Sequence, residues 1–207
     1  MRDGGIGRLL VAALHQGIAD RLPSRLEFYE SWLTPEGLRN GSIGLAPLIA
    51  VLSFLRAEGE PYHHVMRRAG EYAAQWTVDA LGPMRRRIVR MLPRPLRVRA
   101  ALGICRVLVR ASHRGTKVRT RVRRGTGEVA LRGSIFCAVR EQSNEALCGF
   151  YAAAITRVFA CFDLGGPVQV HACRSMGERA CRFRVPVGSR QASVESSESA
   201  APASQTT

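Results

Sequence analysis

The chain has 207 residues, 46% of them apolar, enough for one globular domain with a buried core and too many for wholesale disorder. No apolar run reaches the roughly 18 residues of a membrane-spanning helix, the longest, Ile43 to Leu55, being broken by Gly44, Pro47 and Ser53. The formal charge of +15 is unevenly spread: between Asp79 and Glu128 lie no acids but Lys117 and fourteen arginines, fifteen of the 31 basic residues, which leaves 16 to balance the 16 acidic ones.

In chain order, Ile6, Leu9, Leu10, Ala13, Leu14 and Ile18 recur at three- and four-residue spacing and predict an amphipathic helix ending before Pro23. Short helices follow between Phe28 and Leu55, punctuated by Pro35, Gly41 and Pro47, and Tyr62 to Leu81 forms another helix. Arg85 to Leu92 is a basic turn of helix stopped by Pro93 and Pro95, after which Leu96 to Ala111 turns Val98, Leu102, Cys105, Leu108 and Val109 inward and Arg99, Arg106 and Arg110 outward. At Thr116 the period shortens to two: Thr116, Val118, Thr120 and Val122 alternate with Lys117, Arg119, Arg121 and Arg123. The turn residues Arg124 to Gly127 then lead into a second strand from Glu128 to Val139. Ser143 or Asn144 caps a helix from Glu145 to Phe162, and short strands Val168 to Cys173 and Cys181 to Val187 close the domain. Helices first, then four antiparallel strands with one inserted helix, make an α+β domain over residues 1–187, with a helical half 6–111 and a strand-rich half 116–187. Residues 188–207 hold too little apolar surface to fold and are expected to be a disordered tail.

Met1 to Gly5 carries an acid and two glycines where an export signal has a basic start and an apolar core, so a cytoplasmic location, peripheral to the inner membrane at most, is the expectation. Six cysteines without a CxxC pair are read, in that reducing compartment, as metal ligands or small buried residues rather than disulfides. Cys173 and Cys181 flank a tight connection between two strands, so their sulfurs become neighbours, and Cys148 sits in the first turn of the preceding helix, where the dipole favours a thiolate. With His171, two residues before Cys173 on one strand face, they form a candidate tetrahedral set, Cys148, His171, Cys173 and Cys181. Cys161 is too far along the helix to join it, roughly 20 Å from Cys148 at about 1.5 Å per residue. Trp32, Trp76, Phe150 and Tyr151 are candidates to line a pocket for a flat ligand, against the alternative that they are core. Of the neighbouring His63 and His64, about 100° apart on a helix, at most one is expected to face a pocket.

Leu147-Cys148-Gly149-Phe150-Tyr151-Ala152, followed by Ala172 to Phe183 with its cysteine, glycine, cysteine, phenylalanine pattern, resembles the 4-vinyl reductase domain. Weaker similarity runs upstream, through Ala69 to Ala73 and the Leu92 to Leu96 turn, to the stand-alone bacteriochlorophyll 4-vinyl reductase type. The resemblance implies a fold similar to that of Golgi transport-particle subunits and phenol-sensing regulators, with helices packed on an antiparallel sheet around an apolar pocket. It also implies zinc held by three cysteines and a glutamate. The cysteines fall on Cys148, Cys173 and Cys181 and the glutamate position on Val170, leaving His171 or a water as the fourth ligand.

No dinucleotide fingerprint, P-loop, nucleophile elbow or acid/base carboxylate pair is present, so the chain carries no nucleotide cofactor motif for vinyl reduction. The expectation is a small-molecule-binding protein handling a tetrapyrrole in bacteriochlorophyll biosynthesis, as a vinyl reductase or as its carrier or accessory factor. The alternative is a zinc-stapled sensory or scaffold module that signals to a partner protein. A homodimer or a partner enzyme is compatible with either. The tract from residue 85 to 124 has three readings besides a solvated face: nucleic-acid binding, disfavoured because no aromatic residue interleaves it; peripheral contact with the inner membrane; and a clamp for ligand carboxylates.

Overall fold

The computed structural model of the chain describes residues 5–30, 33, 44–123, 125–139 and 142–186. Trp32 and the tail from 188 to 207 lie outside the described residues. The helices are α1 (Arg8–Arg21), α2 (Leu26–Glu30), α3 (Leu45–Ala57), α4 (Glu60–Asp79), α5 (Gly82–Met91), α6 (Arg94–Ser112) and α7 (Gly149–Ala160). The strands are β1 (Lys117–Arg123), β2 (Thr126–Arg132), β3 (Gln169–Ala172) and β4 (Cys181–Pro186). Pro61, Pro83 and Pro95 stand in the first turns of α4, α5 and α6, where a missing amide hydrogen costs nothing.

The strands form one antiparallel sheet in the order β1-β2-β4-β3, so the architecture is α+β. Its inner face buries Val129 and Leu131 of β2 opposite Phe183 and Cys181 of β4, while Arg182 and Arg184 alternate outward. Helix α6 packs on β1 and β2, and α4 is the central helix of the helical layer. It packs against α1 on one side and α7 on the other through Val65, Met66, Ala69, Gly70, Ala73 and Ala74, all buried. Glycine sets the closeness of both contacts. A β-carbon on Gly17 would lie 2.9 Å from the Val65 carbonyl oxygen, and one on Gly70 would lie 2.2 Å from that of Phe150.

Most element ends fall within a few residues of the sequence reading, and two larger differences matter to the site. Strand β2 stops at Arg132 rather than Val139, because Gly133 adopts a positive φ of 73° and the chain turns into a 3₁₀ segment, Ile135–Cys137, whose three side chains are all buried. Helix α7 begins at Gly149 rather than Glu145, so Cys148 is its N-cap residue and not part of its first turn.

Candidate metal centre

Four chain segments converge where the sheet's inner face meets the start of α7. Cys137 closes the 3₁₀ segment after β2, Cys148 caps α7, Cys173 follows β3 and Cys181 opens β4. Their sulfurs lie within 4.8 Å of one another. Cys173 Sγ is the hub, 3.2 Å from Cys148, 3.4 Å from Cys137 and 3.9 Å from Cys181, and Cys137 stands 3.4 Å from Cys181. An ion held tetrahedrally at roughly 2.3 Å by thiolates requires sulfurs about 3.8 Å apart, a spacing this cluster meets with adjustments of about 1 Å or less. Hydrogen bonds shared among the four thiols lower the Cys173 thiol below its ordinary range, with Cys137 the largest influence, and the same network, led by Cys137, pushes Cys148 up. Several thiolates this close together need a cation to offset their charge.

Every member is buried, Cys137 at 3% exposure and the others at 0%, which leaves no open coordination position. That is the arrangement of a structural staple rather than of a catalytic metal, which keeps one position for water or substrate. The surroundings are built to hold it. Ser175, itself wholly buried, donates to the Glu145 carbonyl at 2.9 Å, accepts from the Leu147 amide at 3.2 Å and stands 3.1 Å from Cys173 Sγ. The Tyr62 hydroxyl of α4 donates to the Leu147 carbonyl at 2.9 Å, fixing the segment before Cys148. The Arg174 amide donates to Cys181 Sγ at 3.5 Å.

The structure therefore brings together Cys148, Cys173 and Cys181, as the sequence suggests, but the fourth member is Cys137 and not His171. The register of β3 against β4 shifts between Val170 and Ala172, so an irregularity at His171 breaks the alternation that would have put it on the face of Cys173. Its side chain is exposed. The other two cysteines stand apart. Cys105 is buried in α6, where burial pushes its thiol up to about 12, and Cys161, half-buried at the C-terminal end of α7, turns towards Gln75.

The aromatic candidates are placed elsewhere than in a pocket. Phe150 and Tyr151 are wholly buried against Phe136, with ring centroids 4.8 and 5.3 Å away, because the N-terminal turn of α7 faces the core. Trp76 stacks on Tyr72 at 5.4 Å on the outer side of α4. A cleft does exist between α4 and α7, about 880 Å³ in volume, but its floor is made of small residues, Gly149, Ala152 and Ala153, and its rim is polar. His63 and His64 both border it, contrary to the expectation of at most one, since the cleft is wide enough to take in neighbouring positions of α4. Arg67, Arg68 and Arg157 complete the rim; Arg68 is engaged with Asp20 at 2.7 Å and Glu71 at 3.1 Å, and Arg157 donates to Gln75 at 2.8 Å.

The chain matches no model of a known protein family, and no curated protein is significantly similar to it.

The basic tract divides into parts with different work. Arg90 and Arg97 donate to the carbonyls of Cys161 and Phe162, at 3.1 and 3.4 Å, and so satisfy the C-terminal end of α7. Arg121 pairs with Glu128 across the sheet at 2.7 Å. Lys117, Arg119, Arg132 and Arg182 surround that pair on the sheet's outer face, where with Arg106 they border a second cleft of about 600 Å³.

Proposed function

We propose that this chain is a zinc-stapled small-molecule-binding protein that carries a tetrapyrrole, or presents one to a reductase, in the cleft between α4 and α7. The observation that carries this reading is the cleft itself. At about 880 Å³ it falls within the ~300–1,000 Å³ of small-molecule sites, and it combines a floor of small apolar residues with an arginine rim. Flat, apolar rings with carboxylate substituents suit that combination, because guanidinium forks pair with carboxylates while the rings rest on Ala152 and Ala153. Similarity to the 4-vinyl reductase domain around Cys148, Cys173 and Cys181 supports the ligand class and the choice of zinc. The four-sulfur donor set suits zinc on chemical grounds as well.

Titrating the metal-loaded protein with protochlorophyllide, followed by absorbance, is expected to give saturable micromolar binding. Arg67→Gln combined with Arg157→Gln is expected to weaken it by about tenfold, the worth of one charge-assisted hydrogen bond. The proposal fails if no spectral change saturates at micromolar pigment, or if the double variant binds like the parent.

The sensory reading has one observation in its favour. Cys148 belongs to the metal centre and the adjoining Gly149 to the cleft, so one turn of α7 touches both. On that reading, removing zinc changes pigment affinity by more than the loss of folded protein explains.

A further inference from the structure

Helix α5 is amphipathic with its faces reversed. It buries none of its ten residues. Its body-facing side is held by hydrogen bonds of arginines, Arg86 to Asp79 at 2.7 Å and Arg90 to the Cys161 carbonyl at 3.1 Å, with Val89 alone packing against the core. The apolar side chains face water: Met84 is 72% exposed, Ile88 53% and Met91 78%. At about 100° per residue these three fall within an arc of roughly 60°, with Arg85 and Arg87 on either flank. Leu96, exposed in the first turn of α6, adds to the apolar surface just beyond the proline turn.

We propose that α5 docks the protein on an anionic lipid bilayer, lying in the interface with Met84, Ile88 and Met91 inserted among the acyl chains and Arg85 and Arg87 at the headgroup phosphates. An apolar stripe with cationic flanks on a short surface helix is the pattern of interfacial helices. Charge complementarity selects the occupant: α5 carries four arginines and no acid, and no acid occurs between Asp79 and Glu128. A second copy of this chain would set arginine against arginine. A nucleic acid would leave the methionines and isoleucine unused, and the stretch offers no aromatic side chain for stacking.

The test is co-sedimentation of the full metal-loaded chain with vesicles of phosphatidylcholine alone and of phosphatidylcholine mixed with phosphatidylglycerol. Sedimentation is expected with the mixed vesicles only, weakening as salt rises. M84S/I88S/M91S, whose three sites are solvent-exposed and whose melting temperature should match the parent's, is expected to partition about tenfold less or weaker still. R85Q/R87Q is expected to bind less and with a flatter salt dependence. Equal binding to both vesicle types, binding to neither, or a serine variant that partitions like the parent overturns the proposal. So does a concentration-dependent dimer abolished by the same serine substitutions, which would give the stripe to a second copy.

Discussion

Replacing Cys173 by serine is expected to weaken metal binding and lower the melting temperature by about 10 °C or more. Cys173 Sγ lies 3.2 to 3.9 Å from each of the other three sulfurs. Four-ligand structural zinc sites contribute roughly 10–16 kcal/mol of apparent folding free energy, so one ligand accounts for about 3–4 kcal/mol, a large part of the stability of a domain this size. Serine keeps nearly the volume of cysteine, which separates ligand loss from packing. Cys105→Ser is the control: a buried cysteine of α6 outside the cluster, its loss should cost only about 1 kcal/mol and leave metal content unchanged. The staple is refuted if both variants melt at the same temperature and carry the same metal.

Gly70→Val is expected to leave little folded protein, and Gly70→Ala to cost at least about 3 kcal/mol. A β-carbon there meets the Phe150 carbonyl oxygen at 2.2 Å, Ala153 Cβ at 3.0 Å and the Ala154 amide nitrogen at 3.1 Å. Two of these three are backbone atoms of α7, which no rotamer change can move, so α4 and α7 must separate. Phe150 is two residues from Cys148, and the displaced turn carries that ligand away from the other three. The alanine variant should therefore bind metal more weakly as well as melt earlier. Gly103, in the middle of α6, has nothing within 4 Å of its missing β-carbon, and Gly103→Ala is expected to stabilise by up to about 1 kcal/mol through helix propensity. Chemical denaturation of the three variants checks the ordering, and a Gly70→Ala protein as stable as the parent would contradict the close packing of α4 on α7.

The helical half is legible in the sequence because its periodicity is strong. Val98, Leu102, Cys105, Leu108 and Val109 are buried as their spacing predicts, and the change of period at Thr116 marks the start of the sheet. The site is only partly legible. Cys173 and Cys181 declare themselves by flanking a tight connection, whereas Cys137 sits in an apolar run, Ile135-Phe136-Cys137, that reads equally well as the end of a strand. The local sign of its place in the cluster is Gly133-Ser134, a break in the alternation of β2 that turns the next three residues towards the core. His171 misleads for the opposite reason: alternation places it beside Cys173, and a register shift that no single residue announces moves it out. Phe150 and Tyr151 illustrate a further limit, since composition cannot tell an aromatic lining a cavity from one filling a core, and here Phe136 stacks on Phe150 and closes the space. The exposure of Met84, Ile88 and Met91 is likewise a tertiary fact, because their spacing alone describes an ordinary inward face.

The fold makes the cysteine cluster the junction of its two halves. Cys181 opens β4, Cys137 comes from the 3₁₀ segment after β2, Cys173 from the connection after β3 and Cys148 from the cap of the helix that packs on α4, so an ion bound there would join the sheet, those connections and the helical layer. X-ray absorption at the zinc edge of the purified protein tests this most directly. Close to one zinc per chain is expected, with about four sulfur neighbours at roughly 2.3 Å, unchanged in a His171→Ala variant and reduced to three in Cys137→Ser. A shell of three sulfurs and one nitrogen or oxygen in the parent protein, or protein without stoichiometric zinc, would contradict it.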